Sequence, residues 1–329
     1  MRNLVIAEVG SVHDGSFGNA TKLIELAAQL GADVVKFQTH LAEAESLASA
    51  PAPAYFTKES RLDYFKRTGF STSQWKELAN HARACGIMFM SSPFSLEAVD
   101  LLEEVGNSIY KIPSGEVTNT PLLEKIAGLR KPVLLSSGMS DWAELDQAVE
   151  ILKRCGDLTV MQCSSIYPCP PEKVGLNILT EMRARYGVGV GLSDHTLGFA
   201  APLAAAALGA SVIEKHLTFS RLMYGSDAAH SMEPQDFRSL TMMLREVWTM
   251  RDHPVDKNDL GEYKNMKVIF QKSLVASSDI PAGTVLTPTL LAYKKPGDGI
   301  PAARYSEFVG RRVNRPIAKD TMLFEADFS

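Results

Sequence analysis

Short apolar runs rich in β-branched residues alternate along the chain with longer stretches that carry apolar residues at helical spacing. The short runs are Leu4–Val9, Asp33–Gln38, Ile87–Ser91, Ser108–Ile112, Pro132–Ser136, Leu158–Cys163, Val188–Gly191 and Ser211–Lys215. Most are continuously apolar, the pattern of parallel strands buried on both faces. Asn19–Leu30 reads as a helix stopped at Gly31. Ser73 is placed to cap a helix through Cys85, and Asp141 to open one over Trp142–Cys155. The alanine-rich Phe199–Leu208 ends at Gly209. Small polar residues before a helix and glycine just after it are the expected start and stop signals. A strand followed by a helix, repeated eight times over about 250 residues, predicts a (β/α)8 TIM barrel. The competing reading is an open doubly wound sheet, but Gly10-Ser-Val-His-Asp-Gly15 after the first strand lacks the dinucleotide-binding fingerprint.

The texture changes after the barrel. Residues 1–250 are read as the barrel domain and polar residues 251–272 as a linker. Residues 273–329 carry short strand signals between Pro/Gly turns and predict a small, mostly β module. A module that small is expected to have little core of its own, and so to need a surface to pack on.

Barrel active sites lie at the C-terminal ends of the strands. Those ends carry Glu8, Lys36, Gln38, Ser92, Lys111, Ser114, Glu116, Ser136, Ser137, Gln162, Ser165, Tyr167, Ser193, Asp194, His195, Glu214, Lys215 and His216, with His13 and Asp14 just beyond the first. Buried lysines need partners. Two lysines converging with several serines suit a bound phosphate or carboxylate. His195 and His216, on neighbouring strands at matching depth, are placed to hold one divalent ion. Each feature also has a plainer reading. A histidine after a strand is often only a hydrogen-bonded loop residue, Lys36 could pair with Glu8 or Glu214, and the serines could cap helices. The plainer readings do not explain why so many strands contribute together.

The chain is 45% hydrophobic and 22% charged, with a formal net charge of −4. No basic run points to nucleic acid or an anionic membrane. The first strand is too short and too interrupted by Glu8 to read as a signal peptide. Cys85, Cys155, Cys163 and Cys169 form no Cys-x-x-Cys pair. Reduced thiols in the cytoplasm are therefore expected, without a cysteine zinc site.

Ala7-Glu8-Val-Gly, Val-Val-Lys36-Phe-Gln38, Tyr-Lys111-Ile-Pro-Ser114-Gly-Glu116, Ser-Gly138-Met, Gln162-Cys-Ser-Ser-Ile-Tyr167-Pro, Gly-Leu-Ser193-Asp-His195-Thr and Glu214-Lys-His216, in this order, resemble the sialic acid (N-acetylneuraminate) synthase family. Residues from Ser273 to Gly310 resemble the antifreeze-like (SAF) domain that ends such enzymes. The resemblance covers nearly the whole chain. It implies condensation of phosphoenolpyruvate with N-acetylmannosamine or a related N-acyl amino sugar, giving a nine-carbon 2-keto acid and phosphate. It implies Mn²⁺, or alternatively Mg²⁺, on His195 and His216, with Glu214 orienting that site from behind. Lys36, Ser92, Lys111, Ser114, Ser165 and Ser193 match positions that bind phosphoenolpyruvate. Gln38, Glu116, Tyr167 and Asp227 match positions that contact the sugar. Asp14 or Glu116 is expected to move the proton of the water step. The family also implies a domain-swapped homodimer, in which Lys295 of the partner subunit reaches the N-acyl group.

Three stretches depart from the bacterial pattern. Val12-His13-Asp14-Gly15 stands where Asn-His-x-Gly is usual, Cys163-Ser-Ser165 where Cys-Thr-Asn is common, and Lys295 where arginine is frequent. These departures touch the identity of the sugar and not the reaction class. A legionaminate, pseudaminate or spore- or surface-polysaccharide sugar acid synthase is thus the nearest alternative. A metal-dependent barrel hydrolase is more distant, because that class wants His-x-His at the end of the first strand and only His13 is there.

Overall fold

The computed structural model describes residues 3–51 and 59–329. Eight parallel strands close into a barrel in chain order: β1 Leu4–Gly10, β2 Val34–Thr39, β3 Met88–Pro93, β4 Tyr110–Ile112, β5 Val133–Ser136, β6 Leu158–Cys163, β7 Gly189–Asp194 and β8 Val212–His216. β1 pairs with β8, so no edge is left open. The TIM-barrel expectation is borne out and the open sheet is excluded.

Some boundaries differ from the sequence reading. β7 runs on to Asp194, because the polar Ser193 and Asp194 still pair with Glu214 and Lys215 of β8. The cap of helix Thr72–Ala84 is Ser71, not Ser73; Ser71 and Gln74 form a reciprocal capping box. Helix Trp142–Leu152, capped by Asp141, stops short of Cys155. Helix Phe17–Gln29 starts earlier than expected, from the Ser16 cap.

Strand parity decides what faces the barrel interior. Side chains alternate faces along a strand. Ile6, Val34, Met90, Ile109, Leu134, Met161 and Val212 form an apolar layer of their own inside the barrel. Their neighbours Val5, Ala7, Val35, Phe89, Tyr110, Val133, Leu135, Val160 and Ile213 pack instead with the surrounding helices. Stepping two residues up from the interior layer gives Glu8, Lys36, Ser92, Lys111, Ser136, Cys163 and Glu214. The polar mouth is therefore the next layer of the same stack.

The same parity turns Lys215 and Asp194 outward, under the helices. Both are buried, and Lys215 Nζ donates to Asp194 Oδ2 and to the carbonyl of Thr196. Burial pushes the Lys215 ammonium down, while Asp194 opposes that shift. Replacing Lys215 with alanine would strand the Asp194 carboxylate, at a cost of about 3–5 kcal/mol. Urea unfolding of Lys215→Ala should show that loss, and stability within 1 kcal/mol of wild type, taken as roughly the spread of ordinary substitutions, would contradict it.

By its contacts the chain divides into Met1–His253 and Pro254–Ser329. Helix Pro234–Asp252 carries the first unit through Arg251 and Asp252, and a short helix spans Lys264–Phe270. In the second unit β9, Ser273–Ala276, pairs antiparallel with β10, Leu291–Lys294. Contrary to the sequence expectation, this unit has its own core. Leu274, Ile280, Leu286, Ile300, Phe308, Ile317, Leu323 and Phe328 are all buried together. They are spread thinly between turns, which hides the pattern from a periodicity reading. Among the described residues no helix is long and apolar enough to cross a membrane.

Candidate active site

The mouth of the barrel is organised around Glu214. Lys111 Nζ lies 2.9 Å from both of its carboxylate oxygens, and Ser193 Oγ donates to Oε1 at 2.9 Å. Lys36 Nζ sits 3.7 Å from Oε1, 2.8 Å from Glu8 Oε2, and 3.4 Å from Ser92 Oγ. All six side chains are buried. Burial opposes the Glu214 charge, but Lys111 and Lys36 outweigh it and hold the carboxyl well below its usual range, at about 2. Burial likewise opposes the Lys36 ammonium, and Glu214 and Glu8 raise it. Lys36 and Glu214 thus keep their charges although both are buried. Glu214 takes its contacts from the two lysines and Ser193 and hydrogen-bonds to neither histidine. The reason is register: Ser193 on β7 is directly opposite Glu214 on β8.

Beside this cluster, Ser114, Ser165 and Cys163 converge on Gly138. A Cβ there would come within 2.5 Å of Ser165 Oγ and 2.6 Å of Ser114 Oγ. Gly138 N–H donates to Ser114 Oγ at 3.1 Å. Ser137 and Gln162 serve the scaffold, with Ser137 Oγ donating to Gln162 Oε1 and Gln162 Nε2 to the Val174 carbonyl.

A cavity of about 160 Å³ opens next to these groups, lined by Gln38, Tyr167, His216, Ser226, Asp227 and His230. Tyr167 packs over His195 with ring centroids 4.0 Å apart. The His195 and His216 rings are 5.6 Å apart. His195 Nδ1 lies 2.7 Å from the Ser164 carbonyl and must donate to it, which leaves Nε2 free as an electron-pair donor. His216 Nδ1 is buried with no hydrogen-bond partner among the described residues. An orphaned imidazole nitrogen wants a ligand. The separation also suits two imidazoles sharing one ion at metal–nitrogen bonds of about 2 Å. Among the described residues no group of three or more His, Cys, Asp or Glu side chains could hold a metal. An ion here would therefore complete its coordination with water or substrate oxygen.

The two carboxylates expected to move a proton are placed very differently. Asp14 sits at φ +48° with its carboxylate 2.8 Å from Arg67 Nη1, and neither it nor Glu116 lines the cavity. Glu116 lies in the turn Ser114–Glu116, and Asn119 donates to it at 2.7 Å. Burial pushes the Glu116 carboxyl up, with Glu45 adding to the shift and Asn119 and Arg61 opposing it. Glu116 is the better suited of the two. His13 is buried against Phe70 and accepts the Gly15 N–H. Burial lowers it to about 4 against the pull of Asp227, so it is a neutral loop residue. Asp227 accepts the Ser11 N–H at 2.8 Å, and a Cβ on Gly10 would come within 2.5 Å of its Oδ2. Lys295 lies in the C-terminal unit, its ammonium 4.8 Å from the centre of the Phe270 ring.

Sequence reasoning named Glu8 only as a partner for Lys36, a pairing the structure shows, and missed Ser226 and His230. The parity of β1 signals Glu8, since it is two residues above Ile6. Nothing local signals Ser226 or His230, which the long segment after β8 brings to the cavity.

Comparison with known proteins now decides the family. The NeuB family model matches residues 23–256, and the SAF domain model residues 271–329. The chain belongs to the NeuB family. It is 40% identical to an N,N'-diacetyllegionaminic acid synthase of Campylobacter jejuni, over 98% of this chain and 99% of that one. It is 33% identical to the human N-acetylneuraminate-9-phosphate synthase, over 98% of this chain and 91% of that one. A putative spore coat polysaccharide biosynthesis protein E from Chromobacterium violaceum has the same fold over both full chains, with a TM-score of 0.79 and 27% identity. The recognised motifs and the SAF domain are thus borne out.

Proposed function

We propose that this NeuB-family chain is a sugar acid synthase that condenses phosphoenolpyruvate with an N-acyl amino sugar and releases phosphate. The observation that carries the reading is the paired-lysine cluster beside a polar cavity at the barrel mouth. Lys36 and Lys111, formally matched in charge by Glu214 and Glu8, bring two ammonium groups together at the mouth, which suits a small anionic substrate with phosphate and carboxylate ends. Ser92, Ser114, Ser165 and Ser193 add hydroxyl donors around them. Gln38, Tyr167, Asp227 and His230 line the cavity where the sugar would lie. A divalent ion on His195 and His216, Mn²⁺ by preference, would supply Lewis-acid polarisation of the acceptor carbonyl.

The chain's own groups do the rest. Lys36 and Lys111 hold the phosphate and carboxylate and counter the charge that grows as phosphate leaves. Glu116, with its raised carboxyl, exchanges the proton of the adding water. Tyr167 packs over His195 and covers one face of that ring. The 40% identity to a diacetyllegionaminic acid synthase supports a diacetamido-trideoxyhexose as an acceptor to test beside N-acetylmannosamine.

The test is phosphate release from phosphoenolpyruvate with Mn²⁺ and, in turn, N-acetylmannosamine, its 6-phosphate and 2,4-diacetamido-trideoxyhexoses. Release should require both substrates, stop with a chelator and return with Mn²⁺. Release with none of these sugars from folded, metal-loaded protein would overturn the reading.

A further inference from the structure

Behind the cavity wall lies a buried group that the mechanism above does not use. His40 follows β2 directly. Its ring is stacked between Phe65 and Phe94, with centroids 3.8 and 4.0 Å away. Its Nδ1 is 2.9 Å from both carboxylate oxygens of Glu45, whose side chain is only 3% exposed. Its Nε2 is 3.2 Å from Gln38 Oε1. On the other side, Gln38 Nε2 donates to Glu8 Oε1 at 2.8 Å. The line of contacts therefore runs Lys36, Glu8, Gln38, His40, Glu45, and Arg61 closes it 4.0 Å from Glu45.

The chemistry of the acceptors fixes the direction of each bond. An ionised carboxylate only accepts, so the Gln38 NH₂ must face Glu8 and its carbonyl oxygen must face His40. That oxygen also only accepts, so His40 Nε2 must carry a hydrogen. Glu45 demands the same of Nδ1. Both ring nitrogens are then donors, and one carboxylate and two aromatic faces around the ring favour a cation there. Without the Nε2 hydrogen, two lone pairs would face each other, and the Gln38 amide would gain by flipping. A flip would exchange its donor and acceptor ends at the cavity and turn an oxygen toward Glu8.

We propose that His40, held doubly protonated by Glu45, fixes the orientation of the Gln38 amide and is thereby a positioning residue for the acceptor sugar. The second half rests on the reading of the cavity as the sugar site. A purely structural role would affect all kinetic constants together. Positioning through Gln38 affects the acceptor far more than phosphoenolpyruvate and vanishes when Gln38 is absent.

The experiment has two arms. In the first, His40→Ala should raise the acceptor KM roughly tenfold or more, leave the phosphoenolpyruvate KM within about twofold, and add less than about twofold in a Gln38→Ala background. His40→Gln, which keeps a donor and most of the volume, should recover much of the loss. Additive effects of His40→Ala and Gln38→Ala, or equal damage to both KM values, would overturn the positioning role. In the second arm, ¹⁵N-histidine NMR of the full chain near neutral pH should show hydrogens on both His40 ring nitrogens, and one should be lost in Glu45→Gln. A ring with a single hydrogen in the wild type overturns the proposal. This arm needs no turnover. If no sugar supports phosphate release, the functional reading fails by itself, and the ring's protonation still decides whether His40 holds Gln38 as stated.

Discussion

Replacing Glu214 with glutamine should lower kcat/KM for phosphoenolpyruvate by about 10²–10³, the usual scale for removing one charge-organising contact from a dry site. Glu214 is the only carboxylate that touches both Lys36 and Lys111, through contacts of 3.7 and 2.9 Å, among the described ion pairs. It therefore sets the spacing of the two ammonium groups. The amide keeps the shape but removes the charge, so the lysines repel each other and lose their register with Ser193. Glu214→Ala should in addition destabilise the fold by about 3–5 kcal/mol, because it leaves buried cations with less compensation. Steady-state kinetics and urea unfolding separate the two effects. Wild-type kcat/KM in Glu214→Gln would mean that the lysines are not organised by this carboxylate.

The same contacts give a sign for pH. The folded-state carboxyl of Glu214 is depressed, against its burial, by Lys111 and Lys36. A depressed carboxyl contributes stability that is present above its unfolded value and fades as pH falls toward the folded one. The wild type should thus lose this contribution on acidification from about 4.5 toward about 2, while Glu214→Gln should show a flatter acid limb.

How legible this was in the sequence depends on what kind of signal each residue carries. The barrel was legible because continuous apolar strands and capped helices are local patterns. Lys36, Lys111, Ser193 and Glu214 were legible as strand-end residues, since a barrel brings all such ends to one face. What was not legible was partnership. Lys215 and Glu214 are adjacent in sequence, yet one pairs beneath the helices and the other inside the barrel, and only parity against Ile6, Val34 and Val212 tells them apart. Asp14 and Glu116 looked equivalent as acids. The contact of Asp14 with Arg67, which lies on a helix more than fifty residues away, is a tertiary event without a local mark. The core of the C-terminal unit was missed because its apolar residues are single positions between turns and show no period.

His195→Ala should abolish metal-dependent phosphate release, a loss of at least about 10³, while leaving the barrel folded. Two features of the histidines carry the expectation. The Ser164 carbonyl commits Nδ1 of His195 to donation and keeps Nε2 as a lone pair. His216 Nδ1 has no hydrogen-bond partner among the described residues although it is buried. Neither feature benefits an empty site: an unpaired buried nitrogen costs stability, and a tautomer fixed for ligation has no use without a ligand. Because the two rings would act as one site, His195→Ala and His216→Ala should each lose nearly as much as the double variant. Titration with Mn²⁺ followed by electron paramagnetic resonance gives a readout apart from turnover. Each single variant should bind the ion at least about tenfold more weakly, as for any protein that loses one ligand of a small site. Undiminished Mn²⁺ binding in both variants would place the ion elsewhere, and the orphaned nitrogen of His216 would then have to be explained by a hydrogen bond from the substrate itself.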